Sequence, residues 1–250
     1  MTTRSIIMKK MDRGEADETV IFLSRDQGWL TGVAKNSRKS RIRFGGSLEP
    51  FCVVDLLVRP RQKDSMVWID ESQMVKGFIR IRDDMESLAR ASYFMELASV
   101  FVPEGQKDQE LFDFLERFLE ILEQSSLSSI EFLVQEIQLL GILGFGPVFD
   151  VCSVCGQGFG PQMEIFFAPY SGGVCHRNCL DPTSPKNVRI SRASLAALRH
   201  GLNSDSKLVG RIKLSRSARI EIRESLSAFV RYIRGQDLKS LRFMEETGYY

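Results

Sequence analysis

The spacing of apolar residues changes character along this chain. Up to about residue 70 they fall in short β-prone runs: Ser5 to Met11, Thr19 to Ser24, Trp29 to Ala34, Phe51 to Val58 and Met66 to Ile69. Turn signals separate the runs at Arg13-Gly14-Glu15, Asp26-Gln27-Gly28, Gly45-Gly46 and Arg59-Pro60-Arg61. Five short strands in this length predict a small barrel. In a Greek-key arrangement it would be an OB-fold, although periodicity alone does not separate that from an SH3-like barrel.

From Asp83 the period becomes helical. Leu111, Leu115, Phe118 and Leu122 recur every three or four positions, and Phe112 and Leu119 widen the stripe into a core-facing side. Ser128-Ser129-Ile130-Glu131 has the form of a capping box, opening a helix that runs toward the glycines at 141–146 and Pro147. Beyond the linker Asp181-Pro182-Thr183-Ser184-Pro185, Ser191 is placed to cap a short helix ending near Gly201. A longer helix follows over 216–234, closed by Gly235. The expected architecture is therefore α+β and multidomain. An N-terminal OB-fold β-barrel over 1–82 is followed by an all-α domain in two parts, 83–150 and 182–250, interrupted by a four-Cys zinc ribbon or finger over 151–181.

That interruption carries the most pointed chemistry. Cys152, Cys155, Cys175 and Cys179 form two close pairs, while the fifth cysteine, Cys52, lies far away in an apolar run. Two thiols a few residues apart reach one ion from a single tight turn, so the spacing predicts a tetrahedral zinc site. Gly156 follows the first pair and Gly172-Gly173 precedes the second, with β-prone Glu164-Ile165-Phe166-Phe167 between them. Four thiolates would fill the coordination sphere and leave no place for a water or substrate, so the zinc is expected to be structural. The second pair is one residue wider than the usual ribbon spacing, and His176 stands beside Cys175 as a substitute ligand competing with Cys179. The other reading is free thiols or a redox pair. A thioredoxin-like pair should open a helix after a strand, whereas this one runs into further glycines and Pro161.

Charge divides the chain in the same places. The net charge is +6 over residues 1–82, −11 over 83–150 and +7 over 151–250. Lys35-Asn36-Ser37-Arg38-Lys39-Ser40-Arg41-Ile42-Arg43 carries five positive charges and no acid, a composition suited to several phosphates at once. Lys35, Arg38, Lys39, Arg41 and Arg43 are thus candidate nucleic-acid contacts. Trp29, Phe44, Phe51 and Trp68 are nearby candidates for stacking unpaired bases. Burial is the expectation for Phe51 and Trp68, while Trp29 and Phe44, beside turns, are open either way. A second basic stripe, Arg216, Arg219, Arg223, Arg231 and Arg234, falls in one sector of the last long helix. Its first three members are candidate nucleic-acid contacts. The alternative for the stripe is solvation plus pairing with Glu221, Glu224 or the acidic middle segment.

Several function classes find no support. With only His176 and His200, the chain has no His-x-Glu ahead of the cysteine pair as in zinc deaminases, no phosphate-binding P-loop and no Gly-x-Ser-x-Gly elbow, so a zinc-containing nucleic-acid enzyme is the weakest reading. A protein-interaction scaffold working through the acidic helices is a stronger alternative. The apolar runs are too short to span a bilayer, and the first ten residues lack a secretory signal. No membrane role is expected. The expected location is the cytoplasm, where clustered cysteines favour metal over disulfide.

Several stretches resemble, in order, the bacterial recombination mediator family RecO. They are Gly32-Val33-Ala34-Lys35 through Ser40-Arg41, Leu48-Glu49-Pro50-Phe51, Ala91 to Leu97, Leu143-Gly144-Phe145-Gly146-Pro147, Gly172-Gly173-Val174-Cys175 and Leu238 to Phe243. Asn36 departs from the pattern, standing where the family usually has glycine, as does the wide second cysteine pair. The resemblance implies an OB-fold, a helical domain, and a zinc ribbon that only some members have. It further implies binding of single- and double-stranded DNA, strand annealing, association with the nucleoid, and partnership with RecR and single-stranded-DNA-binding protein in loading RecA.

Overall fold

The computed structural model describes residues 1–62, 65–184, 186–203 and 214–250, and of residues 202 and 203 the backbone alone. The chain divides into two compact units, Met1–Ser126 and Leu127–Tyr250.

The first unit begins with β1 (Thr2–Arg13), β2 (Asp17–Ser24), β3 (Gly28–Ala34), β4 (Val53–Pro60) and β5 (Val67–Lys76). They close into a barrel in the order β1-β2-β3-β5-β4, with β4 returning antiparallel to β1 and β3 running parallel to β5. This is the connectivity of the OB-fold. Alternation explains the core, because inward positions such as Val20, Phe22, Val54, Leu56 and Ile69 are apolar and sealed from water. A helical turn, α1 (Arg41–Phe44), connects β3 to β4 and drops Phe44 into that core.

Three helices complete the unit: α2 (Ile79–Asp83), α3 (Met85–Phe101) and α4 (Gln109–Gln124). Asp84 and Asp108 cap α3 and α4 by accepting from the backbone N–H groups of Ser87 and Leu111, both at 2.9 Å. The predicted stripe of α4 is buried throughout, and Phe94 of α3 stacks on Phe118 with centroids 3.8 Å apart. At the barrel end of this packing a side chain at Gly28 would place its Cβ 2.0 Å from the Gln106 carbonyl oxygen, so only glycine lets the segment before α4 seat there.

In the second unit α5 (Ser129–Ile142) starts at the predicted capping box. The Ser128 hydroxyl accepts from the Glu131 N–H, and the Glu131 carboxylate accepts from the Ser128 N–H at 2.8 Å. Strands β6 (Ile165–Ala168), β7 (Gly173–His176) and β8 (Val188–Ile190) form a small sheet in the order β7-β6-β8. Helices α6 (Arg192–Asn203), α7 (Arg216–Arg234) and α8 (Lys239–Thr247) follow. Ser191 caps α6, and Gly235, at φ 75, ends α7 as expected. Phe167 of β6 meets Phe229 of α7 edge-on at 5.8 Å, which joins sheet to helix. In the interior the Tyr250 hydroxyl donates to the buried carboxylate of Glu136, 2.8 Å away.

Among the aromatic expectations the structure departs at Trp68. Ile69 occupies the inward position of β5, so its neighbour Trp68 faces outward and is only partly buried. Trp29 and Phe44, left open by the sequence, are buried, as is Phe51.

Candidate metal centre and cationic surfaces

The first cysteine pair lies on a tight turn. The Gly156 N–H donates to the Cys152 carbonyl and the Cys152 N–H to the Gln157 carbonyl, each at 2.9 Å, with Gly156 at φ 74 where a Cβ would be strained. This turn is fastened to the second pair through the sheet, because the Ser153 N–H donates 2.8 Å to the Val174 carbonyl on β7. Close approach at the same edge requires Gly173, where a Cβ would sit 2.4 Å from the Val148 carbonyl oxygen. The second pair spans the end of β7 and a 3-10 turn, Arg177–Cys179. Tyr170 braces that turn, donating 2.9 Å to the Cys179 carbonyl and accepting 2.9 Å from the Asp181 N–H.

Four donors converge here: the Cys152, Cys155 and Cys179 sulfurs and a ring nitrogen of His176, all within 4.8 Å of one another. Around a tetrahedral zinc, with Zn–S of about 2.3 Å and Zn–N of about 2.0 Å, a sulfur and a nitrogen would stand about 3.5 Å apart. The Cys155 Sγ to His176 Nδ1 separation is 3.5 Å. His176 Nε2 lies 3.2 Å from the Gly158 carbonyl oxygen, so the far edge of the ring can donate outward while Nδ1 faces the thiols. The residues thus fit a metal by donor set and by spacing.

The set differs from the expected one at a single place. Cys175 is not among the four, and His176 joins them in addition to Cys179, not instead of it. Cys175 is not turned away from them: it is buried in one cluster with Cys152 and Ala168, against which the partly buried Cys179, Phe166 and Tyr170 pack, so it lies beside the donors without being one of the four that converge. Burial, reinforced by the neighbouring thiols, pushes the Cys175 thiol up to about 12. Cys152 behaves oppositely. Burial opposes its ionisation, but the backbone N–H groups of Cys155, His176 and Val154 bring its thiol down to about 6. Cys179 is driven up to about 11 by desolvation and by its hydrogen bonds with Cys155 and Cys152. Thiols in such proximity resist ionising together unless a cation sits among them.

The basic turn of the barrel is held by its own backbone. Asn36 takes φ 54, the left-handed conformation glycine would adopt and the one asparagine tolerates best among other residues. Its carbonyl accepts from the N–H groups of Lys39 and Ser40, and its N–H donates 2.9 Å to Asp17. Asn36 therefore makes the turn that the glycine expected at this place would make. Arg43 serves as an internal strut, donating to the Lys35 carbonyl at 2.8 Å and to the Ser40 hydroxyl at 3.2 Å. Arg38 pairs loosely with Asp12 at 3.4 Å. Lys39 and Arg41 are exposed and take no ion pair among the described residues.

The stripe on α7 splits. Arg231 is spent on Asp237 and Glu245. Glu221, an expected partner, instead accepts from the Ser191 N–H at 2.7 Å and from Ser194 at the start of α6. Arg216, Arg219 and Arg223 have no ion pair among the described residues. Together they line a cavity of about 270 Å³ with Ser129, Leu133 and Tyr250. Part of the acid excess in the middle segment is consumed inside the first unit, where Glu116 pairs with Lys76 at 2.6 Å and Asp113 with Arg25 at 3.0 Å. Among the described residues no helix is long and apolar enough to cross a membrane.

Comparison with known proteins covers nearly all of this chain. The family model described as recombination protein O N terminal matches residues 1–78, and that for recombination protein O C terminal matches residues 82–242. A protein named DNA repair protein RecO from Syntrophus aciditrophicus is 32% identical over 245 residues, covering 98% of this chain and 95% of its own length. Proteins of the same name from Myxococcus xanthus and Anaeromyxobacter sp. (strain K) are 33% and 31% identical, over 244 and 243 residues, covering 98% and 97% of this chain and 96% and 95% of theirs.

Proposed function

Because the chain belongs to the RecO family, we propose that it is a non-enzymatic DNA-binding mediator of recombinational repair. In this reading it binds single- and double-stranded DNA, anneals complementary strands and, with RecR, helps load RecA onto DNA coated by single-stranded-DNA-binding protein. It works in the cytoplasm, at the nucleoid. The observation that carries the reading is the pinned basic turn on the barrel, where Lys39 and Arg41 are exposed, unpaired among the described residues and backed by Lys35, Arg38 and Arg43. Charge held in place before binding loses little freedom when it meets phosphate. Each phosphate neutralised releases condensed counterions, which makes the affinity sequence-independent and steeply salt-dependent. Annealing follows if cations on one protein screen two strands from one another. Arg216, Arg219 and Arg223 are the second set of phosphate contacts in this reading.

The metal we assign to the Cys152, Cys155, His176 and Cys179 donors is zinc, with a structural role. Four protein donors complete its tetrahedral shell, so when bound it supplies rigidity and no reactive position. Acidic helices as the working surface of a scaffold are the weaker reading, since some of their carboxylates are already paired to the barrel's own cations. The test is binding of labelled single-stranded DNA across a salt series, with and without reversal of Lys35, Arg38, Lys39 and Arg41. Affinity should fall steeply with salt in the unaltered protein and much less steeply in the variant. Affinity indifferent to salt would overturn the electrostatic account.

A further inference from the structure

The outward-facing Trp68 has unusual company. Lys35 Nζ lies 4.5 Å from its ring centroid, Arg61 Cζ 4.3 Å and Arg59 Cζ 5.6 Å. Energetically meaningful cation–π contacts arise about once per 70–80 residues, so three on one ring is a concentration that needs a reason. The fold brings it about. Arg59 is the direct cross-strand partner of Trp68 on β4, Arg61 follows two residues on, and Lys35 leaves the end of β3, whose Val33 is the partner on the other side. Three chain segments each deliver positive charge to one partly buried indole. Arg59 also engages Asp70, at 2.9 Å.

A tryptophan kept only to cover the barrel would not require cations on every side. A flat guanidinium and a flat nucleobase stack on indole in the same manner, so one can take the place of the other. A guanidinium displaced by a base is then beside the phosphate attached to that base. Paired bases hide their faces within the duplex and cannot make the exchange. We infer that Trp68, with Lys35, Arg59 and Arg61, is a stacking site for an unpaired base, which lets the barrel discriminate single-stranded from double-stranded nucleic acid. The inference rests on the nucleic-acid reading above and goes further by naming the strand form and the residue that reads it.

The experiment measures binding of the full chain to labelled oligo-dT, to an abasic oligonucleotide of the same length and to a duplex, for the unaltered protein and for Trp68→Ala, Trp68→Leu and Trp68→Phe. Leucine retains apolar cover without a flat face, and phenylalanine retains the face. Trp68→Ala and Trp68→Leu should each weaken oligo-dT binding about tenfold while changing duplex binding less than about twofold, and Trp68→Phe should recover most of the loss. The abasic strand should bind the unaltered protein about as weakly as oligo-dT binds Trp68→Leu. Equal losses for single strand and duplex, or full affinity for the abasic strand, would overturn the stacking site while leaving the electrostatic reading intact. Absence of salt-sensitive binding to every probe by the unaltered protein would overturn both.

Discussion

The two cationic surfaces are built on opposite plans. On the barrel, positive charge sits on a turn and strand ends whose backbone is tied down by Asn36, Asp17 and Arg43, with the remaining cations gathered round an indole. On α7, one helical face provides Arg216, Arg219 and Arg223, and the regular helix alone fixes their spacing beside a cavity. A surface made from a turn can be shaped residue by residue but depends on every local hydrogen bond. A surface made from a helix needs no local device and depends on whatever packs behind the helix. Behind α7 lies the small sheet that carries the metal donors.

Metal removal should therefore break the comparison most forcefully. Chelation, or His176→Ala, is expected to cost the second unit a substantial part of the ~10 kcal/mol that structural zinc supplies to finger peptides, read as lost hydrogen-exchange protection in α7 and β6 with the barrel unchanged. Cys175→Ala should retain stoichiometric metal, and loss of metal in that variant would restore a four-thiolate site. Next in size, reversal of Lys35, Arg38, Lys39 and Arg41 should lower single-strand affinity by about a hundredfold at low salt. Changing Arg216, Arg219 and Arg223 to glutamine should lower it by about tenfold and flatten the salt slope to a lesser extent. Smaller still, Asn36→Val should destabilise the turn by about 1–2 kcal/mol in denaturant unfolding while Asn36→Gly stays near neutral, because only the former strains a left-handed residue. At the bottom of the scale, Ser128→Ala removes the α5 cap and should cost about 1 kcal/mol in thermal unfolding, with no effect on DNA binding.

How far the sequence could be read follows from the range of the forces involved. The α4 stripe, the Ser128 capping box, the Gly235 stop and the first four barrel runs are dictated by residues within a few positions of one another and appear where expected, whereas the fifth run, Met66 to Ile69, marks only the start of β5, which continues through polar residues to Lys76. The outward turn of Trp68 was hidden because Met66 to Ile69 is apolar without alternation, so the run does not say which of Trp68 and Ile69 faces in. The same difficulty governs the metal donors. Cys175 and His176 are consecutive, and how each of them meets the first pair depends on how β7 registers against β6 and the 148–153 segment. Strand β8 is three residues long and exists because β6 offers it an edge, a cue no local window contains. Glu221, which under the alternative reading of the stripe pairs with an arginine of its own helix, is claimed instead by two serines across the unit.

The indole positions have an optical consequence. The chain has two tryptophans, Trp29 and Trp68, and both belong to the first unit, one sealed in its interior and the other partly open beneath three cations. Tryptophan emission, excited at wavelengths that tyrosine does not absorb, thus reports the barrel unit and is blind to melting of the other. Iodide, drawn in by those cations, should quench the outer fluorophore and spare the inner one, giving a label-free signal in which the two sites separate without any engineered dye.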